Sequence, residues 1–572
     1  MKKLTLIFTF TLTFTLSLVA QDYDRSVVVE KDFQPIIQNA GKLKQSHALL
    51  QTDLPQTPIV FSQPDTSVLN YGQVYALNTP PLTFNQPDTL RGLIDGGFGH
   101  INTRLRFQYT WTDNKSNSVG IRANHQGAWG PKALEKTGLN IRFQHQYKGG
   151  AFFLNLFGSN EFYTRYGHYY DGDKGLTIHH LNQVADSAKQ TLWGGGLNFG
   201  VQSAKKEDIQ YKATLQYDLI SMPSLAIEHH AKANLHFNYN NGSEHFGGVN
   251  FTFLGSFYSN YNIAEEVLNR YYLRLEPFYE YKGQRFFIHV GANIDMNFGK
   301  GEILSKTKNV AFAPSPNIYM EAQLAPKWVV LYAQAKGSLG YGHSEDFIKG
   351  NRYRDLLCSV LSQHAAAYSP IDARLGFKFR LEKNLLLDIH GGYAIKQNMT
   401  TVLAEPNALY LDYTYSHAKQ GNVGLSLAYH YQDIVSIKAY GDYFFWQNDS
   451  IEGADRHLTT TYDQASWKAG LNVDANIDSH WSLYSHNRLE GSRYALVKAK
   501  DNEDYVVMSE GNKYKECKLK PIIDINLGAS YKFNNQLSLS LDINNLIHRY
   551  NDLYYGIQSR GINFLASVRY RF

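Results

Sequence analysis

The chain has 572 residues, of which 43% are hydrophobic and 19% charged, and its formal net charge is +5. The positive charges are spread along the chain without a dense basic block, so the composition gives no support to nucleic-acid binding. Aromatic residues reach 14%, with 41 Tyr and 32 Phe, against only 2 Cys. Beyond the extreme N-terminus no stretch has the 18 or so consecutive apolar residues of a membrane helix, which excludes a protein built from spanning helices.

The first twenty residues have the parts of a secretory signal peptide. Lys2 and Lys3 form its positive region, residues 4–19 form its apolar region, and cleavage is expected after Ala20. The alternative is an uncleaved anchor helix, but the apolar run is short for a span and no stop-transfer cluster follows it. The sequence therefore predicts export, with residues 1–20 as the signal peptide.

Residues 21–90 differ in texture from the rest of the chain. They carry several prolines and many Gln, Asp and Ser residues, without sustained hydrophobic periodicity. Such a composition is typical of extended or disordered segments. We expect residues 21–90 to form an extended arm, either in the periplasm or inside the lumen of the domain that follows.

Residues 91–572 repeat one pattern, in which apolar and polar residues alternate. In residues 521–535, for example, Ile523, Ile525 and Leu527 fall on one side of a strand, and Asp524 and Lys532 fall on the other. Alternation with a period of two predicts β-strands that have one apolar and one polar face.

A soluble β-sandwich also alternates, and three features argue against it. The segments run for about 10 to 16 residues, whereas sandwich strands are usually nearer 5 or 6. Their apolar rows end in aromatic residues, and short and long connections follow one another in turn, as in outer-membrane barrels. A sheet that spans a bilayer must also close, because an open edge would leave backbone groups unpaired.

The fold class predicted is all-β, a transmembrane antiparallel barrel. Roughly 21 segments follow the pattern, and an even number is needed if both barrel ends lie on one side of the membrane. A further strand is predicted near residues 90–100, which gives about 22 strands, with 20 as the alternative. A short helix is predicted in the long loop around residues 344–370. This loop either is stabilised by its own packing or acts as a lid over a ligand.

The C-terminal strand supplies candidate functional residues. Phe572, Tyr570 and Val568 lie on its apolar face, which predicts a lipid-facing row that ends in an aromatic residue. Arg569 and Arg571 fall on the other face, and we expect them to line the lumen together with Asp524 and Lys532.

The sequence shows no motif for catalysis, for a cofactor or for a metal ion. Adjacent histidines at 179–180 and 229–230 are interpreted as loop and strand residues, since neighbours on a strand point to opposite faces. Cys358 and Cys517 lie far apart in sequence. A disulfide between them and two separate thiols both remain open.

The last forty residues resemble the end of a TonB-dependent receptor, and the pattern is also similar to Bacteroidota-type outer-membrane proteins. The residues that carry the resemblance are Asn545-Leu546, Tyr550, Tyr554-Tyr555-Gly556, Arg560-Gly561 and Tyr570-Arg571-Phe572. The terminal aromatic residue also resembles the signal that barrel-assembly machinery recognises, which implies Val568, Tyr570 and Phe572 as that signal. The resemblance implies a 22-stranded barrel, solute uptake and a TonB-type energising protein as partner.

The N-terminal region departs from that family. Its members carry a plug domain inside the barrel, and residues 21–90 are too short for one and lack its alternating β/α pattern. The segment Val27, Val28 and Val29 weakly resembles the short box that the energising protein grips. A lumen of this width needs a filling, which the arm, the loops or a separate chain would have to supply.

Three functions are considered for such a barrel. The first is uptake or passage of a solute across the Gram-negative outer membrane by a receptor-like barrel. The second is the barrel subunit of a larger envelope complex, whose arm docks a periplasmic partner. The third, an outer-membrane lipase or protease, is disfavoured because no catalytic triad is recognisable. The expected surroundings are outer-membrane lipid and the assembly machinery.

Overall fold

The structure is a computed structural model. It describes the following parts of the chain: residues 91–113, 116–130, 133–164, 189–204, 208–222, 226–239, 244–259, 269–299, 312–325, 328–340, 353, 367–382, 384–404, 411–432, 434–451, 461–499, 507–509 and 512–572. The expected signal peptide and arm, with Val27, Val28 and Val29, lie outside the described residues. Cys358 and, except for Tyr353 and residues 367–370, the segment predicted to hold a short helix also lie outside them.

Strands account for nearly all the regular structure in these residues. Those of the barrel wall are β1 (Gly92–Gly99), β2 (Asn102–Thr112), β3 (Asn117–Ala128), β4 (Leu134–Tyr147), β5 (Gly150–Thr164), β6 (Lys189–Ser203), β7 (Ile209–Met222), β8 (Ala226–Tyr239), β9 (His245–Ser259), β10 (Arg270–Lys282), β11 (Phe286–Gly299), β12 (Phe312–Ala325), β13 (Val329–Leu339), β14 (Tyr368–Glu382), β15 (Leu385–Ala404), β16 (Asp412–Tyr431), β17 (Val435–Ile451), β18 (Trp467–Asn476), β19 (Trp481–Glu490), β23 (Ile522–Lys532), β24 (Leu537–Asn544) and β27 (Asn563–Arg571). Five shorter strands lie outside the wall: β20 (Arg493–Lys498), β21 (Val507–Ser509), β22 (Asn512–Leu519), β25 (Asp552–Tyr554) and β26 (Ile557–Gln558).

The wall is a closed antiparallel sheet of 22 strands. Consecutive strands pair from β1 to β19, then β19 pairs with β23, β23 with β24 and β24 with β27. The sheet closes where β27 pairs with β1, with Asp95 opposite Arg569. Beyond that ladder the amides of Arg91 and Gly92 donate to the carbonyl oxygen of Phe572. The predicted fold class and the predicted strand near residues 90–100 are confirmed.

Two predicted strand boundaries are wrong where the chain leaves the wall and returns to it. The alternating pattern over residues 481–498 predicts one strand, but β19 ends at Glu490 and β20 leaves the wall to pair with β22. The next predicted strand, 518–533, likewise begins in the wall only at Ile522. The alternation continues from β19 into β20 because β20, paired with β22, is also a strand with two faces. The sequence pattern therefore does not show where the barrel wall ends.

The pairing register divides the wall into an outer and an inner face. On β27 the outward Phe564, Val568 and Tyr570 are exposed, whereas the inward Asn563 and Ser567 are buried. When the pairing register is followed around all 22 strands, the inward residues of the last strand pair with the inward residues of the first. The outer face is rich in exposed Leu, Ile, Phe, Tyr and Trp, and the inner face carries most of the buried polar residues.

The two ends of the barrel differ, as the loop lengths predict. At one end, the short-turn end, neighbouring strands are joined by tight turns such as residues 148–149 and 477–480, and both β1 and β27 reach it. At the other, the long-loop end, the connections include 165–188 and 340–367. No helix in the described parts of the chain is long and apolar enough to cross a bilayer.

A small second layer lies at the long-loop end. β15 and β16, each 20 residues long, protrude beyond their neighbours, and the tip of β15 pairs in parallel with β20. The contact buries a hydrophobic cluster that includes Val402, Leu411, Val497, Leu519, Leu553 and Tyr554. The backbone of Val402 is also held by Asp463, whose carboxylate accepts its N–H at 2.9 Å.

Candidate functional site: the inner wall of the barrel

The inner wall carries its most connected group of charges where the barrel closes. We call Asp95, Arg104, Asp542, Ser567 and Arg569 the seam cluster. Arg569 on β27 donates to Asp95 on β1 from Nη2 at 2.9 Å and from Nε at 3.2 Å. Arg104 on β2 donates to Asp95 at 3.3 Å and to the Ser567 hydroxyl at 2.7 Å. The seam cluster therefore joins the first two strands to the last by side chains as well as by backbone.

Asp542 extends the seam cluster to the next strands. Its carboxylate lies 3.5 Å from Arg104 and accepts a hydrogen bond from the hydroxyl of Tyr484 on β19. The Tyr484 ring reaches Asp542 by crossing Gly528 of β23, the residue opposite it in the register. Because Gly528 has no side chain, the ring can lie flat on the inner wall, and a Cβ there would overlap it.

The four lumen candidates from the sequence occupy different places on the inner face. Arg569 belongs to the seam cluster, and Arg571 is the next inward residue of β27, nearer to the short-turn end. Asp524 is buried at the long-loop end of β23, opposite Arg488. Lys532 is exposed at the short-turn end of the same strand, eight residues away, or about 26 Å at strand spacing. The structure thus brings Arg569 and Arg571 together and leaves Asp524 and Lys532 apart.

The seam cluster contains residues that the sequence did not single out. Asp95 lies in β1, where the alternating pattern is weakest because of its glycines, and Arg104 lies near the start of β2. The one available signal was the position of Asp95, which alternates with the apolar Ile94 and Gly96 in a strand-like segment. Its pairing with Arg569, 474 positions along the chain, is visible only once the barrel closes.

A second cluster holds the long-loop end of β13 against the inner wall. Asp295 on β11 is fully buried and accepts hydrogen bonds from Arg274 at 2.6 Å and from the hydroxyl of Tyr272 at 2.8 Å. It also accepts the backbone N–H of Leu339 at 3.0 Å, and Asn293 donates to the Gly337 carbonyl at 2.7 Å. We call this group the β13 clamp.

The β13 clamp acts across β12, where the backbone ladder is interrupted. β13 pairs with β12 only up to Lys336, so residues 312–316 of β12 have no β13 partner, and the register of β13 with β14 shifts between Lys336 and Ser338. Pro314 and Pro316 lie in this stretch, and the Pro314 carbonyl accepts the Tyr368 hydroxyl at 3.4 Å. Proline has no N–H to leave unpaired, so its presence fits a broken ladder.

A third cluster surrounds His230 on the inner face of β8. His230 is buried, with Nδ1 2.9 Å from Asp218 and Nε2 3.1 Å from Glu228. The fully buried Glu228 also accepts the hydroxyl of Tyr258 at 2.9 Å. These contacts join β7, β8 and β9 through their inward side chains.

No metal site is found on this wall. Among the described residues no three His, Cys, Asp or Glu side chains are placed to hold a metal ion. Cys517, on β22 outside the wall, carries a free thiol that packs against the hydrophobic cluster of the long-loop end. Burial raises the pKa of this thiol, which keeps it protonated and less reactive.

Comparison with known proteins places the fold. No protein-family model matches the chain, and no curated protein matches it in sequence. Solved structures do match its shape. The copper transporter OprC superposes with a TM-score of 0.62 at 11% identity, over 85% of this chain and 82% of that one. The fold is that of outer-membrane receptor barrels.

Two further structures support the same conclusion. The FrpB iron transporter from Neisseria meningitidis matches with a TM-score of 0.62 at 8% identity, over 84% of this chain and 81% of that one. The pyoverdine outer membrane receptor FpvA from Pseudomonas aeruginosa PAO1 matches at 0.60 and 10% identity, over 84% and 78%. These neighbours are transporters and receptors and not enzymes. At such identities the likeness concerns the fold alone.

Proposed function

We propose that the protein is an outer-membrane barrel of the TonB-dependent receptor type that takes part in the uptake or passage of a solute. One observation carries the proposal: the wall closes completely, with an apolar outer face and a polar, charged inner face. A sheet satisfies all its backbone groups in hydrocarbon only when it is closed. The three receptor and transporter structures of the same fold give the function its direction.

The proposal orients the barrel. The short-turn end faces the periplasm and the long-loop end faces the outside, as is usual for these barrels. The outward aromatic residues contact lipid, and the seam cluster, Arg571, Asp524 and Lys532 line the route through the lumen.

The proposal also assigns roles to the two ends of the chain, of which the N-terminal one lies outside the described residues. Residues 1–20 direct export, and residues 21–90 lie in the periplasm or the lumen. Val27, Val28 and Val29 are the part that a TonB-type energising protein would grip. Phe572, Tyr570 and Val568 are presented to the barrel-assembly machinery, which the exposure of their row on the outer face supports.

The proposal is tested by fractionation followed by a conductance measurement. The full-length protein is expected in the outer-membrane fraction and requires detergent for extraction. In planar bilayers, deletion of residues 21–90 should raise the conductance if the arm fills the lumen, with a short deletion in loop 165–188 as the control. Recovery of the protein from the soluble fraction without detergent would contradict the proposed function itself.

A further inference from the structure

Cationic and amide side chains form a row across the inner wall below the seam cluster. In the register, Arg571 of β27 lies opposite Leu93 of β1, Leu93 opposite Gln108 of β2, and Gln108 opposite Arg122 of β3. These four residues lie on the inner face, side by side on four adjacent strands. Neighbouring strands lie about 4.8 Å apart, so the long side chains of Arg571 and Arg122 can both reach the space over Gln108.

Two members of this row have no side-chain partner among the described residues. Gln108 is only 7% exposed, yet no hydrogen bond joins its side-chain amide to any residue in the described parts of the chain. The guanidinium of Arg571 likewise makes no hydrogen bond or ion pair within them. The amide of Gln108 is therefore available to hydrogen-bond with a group in the lumen.

The charge balance of this sector indicates the sign of that ligand. The inner faces of β24, β27, β1, β2 and β3 carry two carboxylates, Asp95 and Asp542, which the seam cluster already engages. The same faces carry five arginines, at positions 104, 106, 122, 569 and 571. Among the described residues of these faces arginines outnumber carboxylates, which favours an anion, and the guanidinium fork of Arg571 suits the oxygens of phosphate and carboxylate groups.

We propose that Arg571, Gln108 and Arg122 form an anion subsite on the inner wall, which binds the phosphate or carboxylate group of a solute. Arg571 supplies paired N–H donors, the Gln108 amide supplies a further N–H, and Arg122 adds positive charge at the neighbouring position. The subsite deepens the proposed function, on which it rests for the route by which the solute arrives. It implies that the transported solutes include anionic ones.

Equilibrium dialysis of the full-length protein against radiolabelled inorganic phosphate tests the subsite. The measurement is made in a phosphate-free detergent at low ionic strength, because salt screens the attraction. We expect saturable binding in the wild type that is about tenfold weaker in R571Q and in Q108L, each variant losing one donor group. R571K, which keeps the charge but not the planar fork, should lose less than R571Q. Competition with acetate distinguishes a site for carboxylates from one for phosphate alone.

The matched control is R142Q. Arg142 is also an inward arginine, but its guanidinium lies 5.1 Å from the centre of the Phe153 ring and donates to Gln144. R142Q should bind phosphate like the wild type, and heat-modifiable migration on gels should show every variant to be a folded barrel. Absence of saturable binding in the wild type, or equal affinity in R571Q, would overturn the subsite. A membrane-embedded barrel that binds no phosphate would still leave the proposed function intact.

Discussion

The carboxylate of Asp95, on the first strand, accepts two hydrogen bonds from the guanidinium of Arg569, on the last strand of the barrel. Asp95 is fully buried and also contacts Arg104. The two residues face each other in the register at which β1 and β27 close the sheet. The ion pair therefore lies at the junction on which the integrity of the whole wall depends.

Replacing Asp95 by Ala should destabilise the barrel strongly. The change leaves Arg104 and Arg569 side by side without their shared carboxylate, and loss of one partner of a buried ion pair costs about 3–5 kcal/mol. Urea unfolding in detergent or lipid vesicles measures the change. The control is D449N, because Asp449 pairs with Lys419 with both side chains more than a third exposed, and such pairs contribute less than about 1 kcal/mol. Equal effects of the two variants would contradict the role of the seam cluster.

Replacing Gly528 by Ala should also destabilise the wall, by about 1–3 kcal/mol. The new Cβ would overlap the ring of Tyr484 and push its hydroxyl away from Asp542. G96A is the matched control on β1, because a Cβ there meets no atom within 4 Å. In a double-mutant cycle, the cost of G528A should shrink when Tyr484 is already Ala. Additive costs would show that the ring and the glycine are not coupled.

Replacing Asp295 by Ala should release the end of β13 from the inner wall. The Leu339 amide would lose its acceptor, and Arg274 and Tyr272 would lose theirs. Hydrogen exchange followed by mass spectrometry should show faster exchange in residues 337–339, by about tenfold or more if one charge-assisted bond is lost. N293A removes the bond to the Gly337 carbonyl but keeps the bond from the Leu339 N–H to Asp295, so it should have a smaller effect on exchange. Unchanged exchange in D295A would argue against the β13 clamp.

Asp478 should contribute a pH-dependent part of the stability. It lies in the turn between β18 and β19, where its carboxylate accepts the backbone N–H groups of His480 and Trp481, both at 2.7 Å. These bonds hold its pKa below the ordinary value. A lowered pKa in the folded state stabilises the protein above the ordinary pKa, and this contribution is lost as the pH falls through the lowered one.

Unfolding of the wild type and of D478A should be compared from neutral pH to about pH 2, which lies well below the ordinary pKa of an aspartate. The difference in stability is expected to be largest at neutral pH and to disappear in acid. Asn534 offers a neutral control, because its side chain accepts the N–H groups of Gln536 and Leu537, both at 2.8 Å. N534A should lose stability to the same extent at every pH. A pH-independent deficit in D478A would rule out the carboxylate as the cause.

Replacing Phe572 by Ala should reduce the amount of folded barrel. The backbone of Phe572 pairs with Gly92 and Arg91, and its ring lies over Gly92 and stacks with Tyr109 at 6.4 Å. Removing the ring uncovers Gly92 and Tyr109. It also deletes the aromatic end of the expected assembly signal. Heat-modifiable protein in the outer-membrane fraction measures the loss. F572Y, which keeps the ring, should assemble like the wild type, and normal assembly of F572A would disprove the need for it.

The sequence by itself determined the fold class and nearly every strand of the wall. Alternation is a local property, because successive side chains on a strand point to opposite faces. For this reason Arg569 and Arg571 could be assigned to one face and Tyr570 and Phe572 to the other from their spacing alone. The strand near residues 90–100 followed from the need for an even number, although its own pattern is weak.

Only the tertiary structure decided which charges meet. Asp95 and Arg569 lie at opposite ends of the barrel domain in sequence, and Asp542 meets Tyr484 across an intervening strand. It also decided that β19 ends at Glu490 while the pattern continues, and that β13 turns inward over β12. Closure, register and strand departure arise from contacts between distant segments, and no local periodicity encodes them, because each strand looks the same whichever neighbour it pairs with.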